Sequence, residues 1–123
     1  METDQITHEI LDSAYKVHSA LGPGLLESAY RACLSYELRR KGWLVEEEKA
    51  LPLIYEDIRL DCGYRLDMLV ENKVVVELKT VDCFNDVHIA QVLTYLRFSQ
   101  KHVGLLLNFN VKSLKDGIRR VIL

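Results

Sequence analysis

The sequence predicts an α/β fold in which helices cover a central mixed sheet, and three observations carry that prediction. The first forty or so residues show apolar side chains at helical spacing, in two stretches broken by Gly22-Pro23-Gly24. From Trp43 the period changes from helical to alternating. After Thr80 one more helical stretch leads into a nearly all-apolar run, Val103-Gly104-Leu105-Leu106-Leu107-Asn108-Phe109, of the kind that forms a strand buried on both faces. The order is helix, helix, three strands, helix, strand, strand.

In the first helix, from residue 4 to about 21, Ile6, Ile10, Ala14, Val17 and Leu21 form the packing stripe, and Thr3 or Asp4 is the expected cap. His18, at the inner edge of that stripe, reads as a satisfied core or boundary histidine. The second helix runs to about Lys41, with Leu26, Ala29, Tyr30, Cys33, Leu34 and Leu38 on its apolar face and Gly42 at its end. Strands follow at about 43–48 and 51–56, one long strand bent near Pro52 being the alternative, and Asp57 turns the chain into Ile58-Arg59-Leu60. Gly63 marks a bulge or bend. The third helix, roughly 86–100, is capped by Asp82 or Asn85 and packs through Ile89, Ala90, Val92, Leu93 and Leu96. Residues 117–123 form an edge strand.

The stretch 63–80, GYRLDMLVENKVVVELKT, holds two strands joined at Glu71-Asn72-Lys73. Alternation puts Val74, Val76 and Leu78 on one face of the second strand and Val75, Glu77 and Lys79 on the other. Asp67 shares the Glu77 face if the loop has three residues, with Asn72 or Lys73 left-handed. Val70 then opposes Val74, and Asp67 opposes Glu77. Two adjacent carboxylates and an ammonium on one sheet face suit a hard divalent cation such as Mg²⁺. Spacing alone favours a plainer reading, a solvated strand face on which Lys79 pairs with a carboxylate.

A chain of 123 residues suits one domain, 1–123, with one core. At 49% hydrophobic and 28% charged it has the composition of a soluble globular protein. No apolar run approaches the ~20 residues that span a bilayer. The opening METDQITHEI is acidic and polar, unlike a secretory signal. Cys33, Cys62 and Cys83 are odd in number and widely spaced, which points to a reducing cytoplasm and to buried small hydrophobes. A net charge of −2 argues against coating nucleic acid by bulk charge, leaving Arg39-Arg40-Lys41 and Lys112, Lys115, Arg119 and Arg120 as local basic clusters.

Gly24-Leu25-Leu26-Glu27-Ser28-Ala29-Tyr30 carries the Gly-x-x-Glu-x-x-Tyr pattern of the GxxExxY proteins. The chain resembles that family over nearly its whole length, through VHSALGPGLLESAY, YRLDMLV, VVVELKT, the Gln91 and Tyr95 pair and LLLNFNVKSLKDGIRRVIL. The family is placed in the PD-(D/E)XK nuclease superfamily, so the resemblance implies a restriction-endonuclease-like core. It further implies that Asp67 is the metal-binding aspartate, that Glu77 and Lys79 are the Glu-x-Lys pair, and that Glu27 is the acidic residue of the first core helix. Gln91 and Tyr95 resemble the Gln-x-x-x-Tyr helix motif of RecB-like nucleases and would hold substrate phosphate or water. Leu66 stands where the pattern has its proline.

On this reading Mg²⁺ or Mn²⁺ sits on Asp67, Glu77, the Leu78 carbonyl and Glu27, Lys79 orients water or stabilises developing charge, and the substrate is nucleic acid, DNA in the first instance. Tyr30, one turn after Glu27, would pack beside this site. For Glu27 a structural reading also stands, with Gly24 as N-cap, Glu27 at the third helical position and Arg31 four residues on as an ion-pair partner. The competing function is a non-catalytic nucleic-acid-binding or scaffolding module that keeps the fold. So small a chain covers little of a duplex, which favours a homodimer or a protein partner.

Overall fold

In the computed structural model, which describes residues 2–123, the chain opens with a helical hairpin. Helix α1, Thr3–Leu21, buries Ile6, Ile10, Ala14 and Val17. It ends where Gly22 takes φ 66° and its N–H donates to the His18 carbonyl at 2.8 Å. Helix α2, Glu27–Arg40, turns Tyr30, Leu34 and Leu38 into the same core. The connection between the two is fixed by a side chain. The Tyr30 hydroxyl donates to the Gly22 carbonyl and accepts from the Leu25 N–H, while its ring stacks on Phe109 at 4.6 Å. Gly24 meets the path of this loop at φ 103°, a conformation open to glycine and strained for other residues.

The helix starts depart from the expected caps. Glu2 is the N-cap of α1 and Leu26 that of α2, neither with a side-chain cap bond. Glu27 is therefore the first residue of α2 and not its third, and Leu26, expected on the packing face, is 76% exposed. The Tyr30 clamp, which spaces the chain across 22–25, sets this start in place of a local cap. Asn85 does cap the third helix, α3 (Asp86–Ser99), in a reciprocal box with His88 at 3.1 Å each way.

Seven strands follow the hairpin: β1 (Val45–Ala50), β2 (Leu53–Tyr55), β3 (Ile58–Leu60), β4 (Arg65–Val70), β5 (Val74–Lys79), β6 (Val103–Asn108) and β7 (Ile118–Ile122). Five of them form one mixed sheet in the order β1-β4-β5-β6-β7, with β5 and β6 parallel and joined through α3. The region 51–60 is not a continuation of β1. It forms a separate β2–β3 hairpin turned at Glu56, φ 54°. The break falls at Pro52, which has no N–H to give a ladder.

The sheet separates two cores. Met68, Val70, Val74, Val76, Leu78, Leu105 and Leu107 pack against α1 and α2. On the opposite face Leu69, Val75, Leu106 and Val121 pack against Val92, Tyr95 and Leu96 of α3. His18 is buried and structural, its Nε2 donating to the Val111 carbonyl at 2.7 Å. Cys33 is half-buried, but Cys62 and Cys83 lie exposed in loops and not in the core, because neither belongs to an element with a packing face. The basic run of α2 is neutralised locally: Arg39 pairs with Glu47, Arg40 with Glu37, and Lys41 with Glu9 and Asp12. Among the described residues no helix is long and apolar enough to cross a membrane.

Candidate active site

The site is built by a register. Val70 opposes Val74 across a three-residue loop, and the pairing continues through Leu69 with Val75 and Met68 with Val76. Glu71 (φ 53°) and Asn72 (φ 55°) are the left-handed residues, and the Lys73 N–H donates to the Val70 carbonyl at 3.0 Å. Asn72 is one of the two residues expected to take that conformation, and Glu71 joins it. Two consecutive positive φ values give the turn whose twist matches the flanking strands.

The same register sets Asp67 opposite Glu77, and there the backbone ladder gives way to two side-chain bonds. The Asp67 N–H donates to Glu77 Oε1 at 3.1 Å, and the Leu78 N–H donates to Asp67 Oδ2 at 2.8 Å. The other neighbour of β4 is disturbed at the same level. Pairs run from Glu47 with Met68 to Lys49 with Leu66, and the intervening Glu48 has φ 47°. Asp67 thus sits at a kink between two ladders. Leu66, beyond the kink, packs in the α3-side core although simple alternation would place it with Met68 and Val70.

Glu77 is 3% exposed. Burial, reinforced by the charge of Asp67 and by a hydrogen bond between the two side chains, pushes its carboxyl up to about 9, with the Asp67 N–H and, less strongly, Lys79 pulling the other way. Lys79 is half-buried and its Nζ donates to Gln91 Oε1 at 3.1 Å. Tyr95, one turn along α3, is buried and hydrogen-bonded to Gln91. Its hydroxyl is pushed up by that burial and by the negative charge of Glu77 and Asp67. The helix α3 therefore brings Gln91 and Tyr95 to the carboxyl pair from above the sheet.

Asp67, Glu77, Lys79, Gln91 and Tyr95 come together, with Leu78 tied in through its N–H. Glu27 stands half-buried at the start of α2, and its neighbour Arg31 pairs with Glu47 and Glu48 of β1. Tyr30, expected to pack beside the site, is instead fully buried in the core on the α1 and α2 side of the sheet. Among the described residues no three His, Cys, Asp or Glu side chains group closely enough to hold a metal. Two facing carboxyls, one of which cannot ionise easily in the presence of the other, nevertheless form a donor set that suits a hard cation. Its charge offsets their repulsion and the burial of Glu77.

Two supporting residues escaped the sequence reading. Asn108, 2% exposed, accepts from the Val81 N–H at 3.2 Å and donates to the Val81 carbonyl at 2.8 Å, holding the chain that leaves Lys79. Its signal was a lone polar residue in the apolar run of β6. Tyr64 meets Tyr95 edge-on with ring centroids 6.3 Å apart. No pattern in the sequence links the two.

A profile of the PD-(D/E)XK nuclease superfamily matches residues 4–121. Searches of curated proteins and of solved structures find no match. The chain belongs to the PD-(D/E)XK nuclease superfamily, and its five-stranded mixed sheet with three helices is an α/β architecture of the restriction-endonuclease-like kind.

Proposed function

We propose that this protein is a metal-dependent nuclease that hydrolyses phosphodiester bonds in DNA. The observation that carries the reading is the meeting of the Asp67 and Glu77 carboxyls beside Lys79 on one sheet face. Nucleases of this superfamily generally use divalent metals. Mg²⁺ or Mn²⁺ would be held by Asp67 and Glu77, with the Leu78 carbonyl as a further ligand; Glu27, at the start of α2, does not cluster with the two carboxyls and is not assigned to the ion. When bound, it would supply a Lewis acid for the phosphate and a water activated near neutral pH.

The chain's own residues do the rest. Asp67 and Glu77 spend one oxygen each on a backbone N–H, which orients both carboxyls and fixes their separation. Gln91 holds the Lys79 ammonium beside them, where it stabilises negative charge developing on a phosphate oxygen. Tyr95 walls the site from the α3 side and, with Gln91, orders phosphate or water there. The free thiols Cys62 and Cys83 suit the reducing cytoplasm. A second copy of the chain or a protein partner would extend its short reach along a duplex.

That only two acidic groups cluster favours the second reading, a binding or scaffolding module that retains the fold. Incubation of the purified chain with labelled DNA and Mn²⁺ separates the two. The nuclease reading expects cleavage that EDTA stops and Asp67→Asn abolishes. DNA left intact under all of these conditions moves the module reading ahead.

A further inference from the structure

Beside the carboxyl pair lies a cavity of about 220 Å³ that the proposed chemistry does not use. Its walls include Pro52, Leu53, Tyr64, Gln91, Tyr95 and Phe98. We propose that this cavity receives one unstacked nucleobase of the substrate strand, so that the enzyme acts on single-stranded or locally unpaired nucleic acid. The inference rests on the nuclease reading of the neighbouring site and adds the class of substrate.

Size and lining both favour a base. The cavity is smaller than the roughly 300–1,000 Å³ of pockets that take drug-sized ligands, and it suits a single planar ring system. Three of its side chains are aromatic, and every base offers a face on which such rings stack. Tyr64, 45% exposed, forms the outer wall and stands at 61° to the Tyr95 ring. The backbone that carries it is tied down, the Leu51 N–H donating to the Tyr64 carbonyl at 2.9 Å.

Position favours it further. Gln91 and Tyr95 line the cavity and also face the charged cluster, Gln91 through its bond to Lys79. A base in the cavity thus leaves its own backbone phosphate toward Lys79, with one side chain between the two subsites. A paired base inside a duplex cannot enter; it has to leave the stack first. Charge points the same way. At a net −2 the chain cannot grip a polyanion by bulk attraction, and stacking supplies affinity that does not depend on counterion release.

Fluorescence anisotropy on the full chain in Ca²⁺ tests this with two labelled strands of equal length and charge, oligothymidine and an all-abasic strand. Oligothymidine should bind on the order of tenfold or more tightly than the abasic strand. Tyr64→Leu should erase that difference while leaving the weaker, phosphate-driven binding. Phe98→Leu should do the same and serves if Tyr64→Leu melts early. Equal affinity for the two strands, alongside Mn²⁺-dependent cleavage of DNA, overturns the base pocket and leaves the nuclease reading intact. Unchanged discrimination in a folded variant also overturns it and assigns the cavity to other contacts, such as an apolar side chain of a partner protein. If no strand is bound and no DNA is cut, both readings fall.

Discussion

A carboxyl that is 3% exposed and faces a second carboxyl holds its proton far above the ordinary range, and Glu77 does so up to about 9. In the unfolded chain the same group ionises near 4.5. Between those values the folded chain keeps a proton that the unfolded chain has lost, so Glu77 contributes its full stability below 4.5 and loses it as pH rises toward 9. Urea denaturation in EDTA should therefore show a midpoint that falls from mildly acid to alkaline pH, and Glu77→Gln should flatten that part of the slope. A variant with the same slope as wild type would remove Glu77 as its source. Lys79 makes a different prediction. Its ammonium is held by Gln91 and not by a core contact, so Lys79→Ala should leave the fold in place by circular dichroism while lowering the cleavage rate on the order of 10²–10³-fold. An unchanged rate would take Lys79 out of the chemistry.

At the scale of elements, the loop between β4 and β5 decides whether Asp67 and Glu77 meet, since a one-residue slip would send Asp67 to the other face. This much was legible: Val70 opposite Val74 follows from a three-residue connection between two apolar runs. The stripe of α1 was legible for the same reason, because Ile6, Ile10, Ala14 and Val17 recur at the helical period and are buried, although Leu21, expected to continue it, lies exposed at the helix end. The start of α2 was not. It depends on the Tyr30 hydroxyl bridging Gly22 and Leu25, a contact that no cap signature announces. Tyr30→Phe keeps the ring on Phe109 but leaves that carbonyl and N–H without their partner. It should cost about 1–3 kcal/mol, read from the denaturation midpoint. No measurable loss would mean that the loop holds its course without the clamp. The kink at Asp67 was equally hidden, since it needs the left-handed Glu48 on one side and the Glu77 carboxyl on the other.

Across the whole molecule, a sheet with two apolar faces carries its charged cluster on the α3 side, at the end of β5 where the chain leaves toward Val81. The long return from β6 to β7 braces that end. Asn108 grips Val81, and a Cβ on Gly117 would fall 2.2 Å from the Asn108 carbonyl oxygen. Gly117→Ala should therefore cost about 1–3 kcal/mol through overpacking, measured by thermal unfolding. A variant as stable as wild type would show that the return segment yields freely. The cavity beside the site was not legible either, because its walls come from the segments around 51–53, from Tyr64 and from α3, which only the folded chain brings together. The central claim is that Asp67 and Glu77 together hold a divalent cation, and calorimetric titration of Mn²⁺ into the purified chain tests it most directly. Wild type should bind one ion and release a proton on doing so, visible as a dependence of the heat on buffer ionisation, with affinity rising toward alkaline pH as Glu77 gives up its proton. Asp67→Asn and Glu77→Gln should each lose that binding. Saturable binding that is the same in wild type and in both variants, or no binding by wild type at any pH at which it stays folded, would contradict the account.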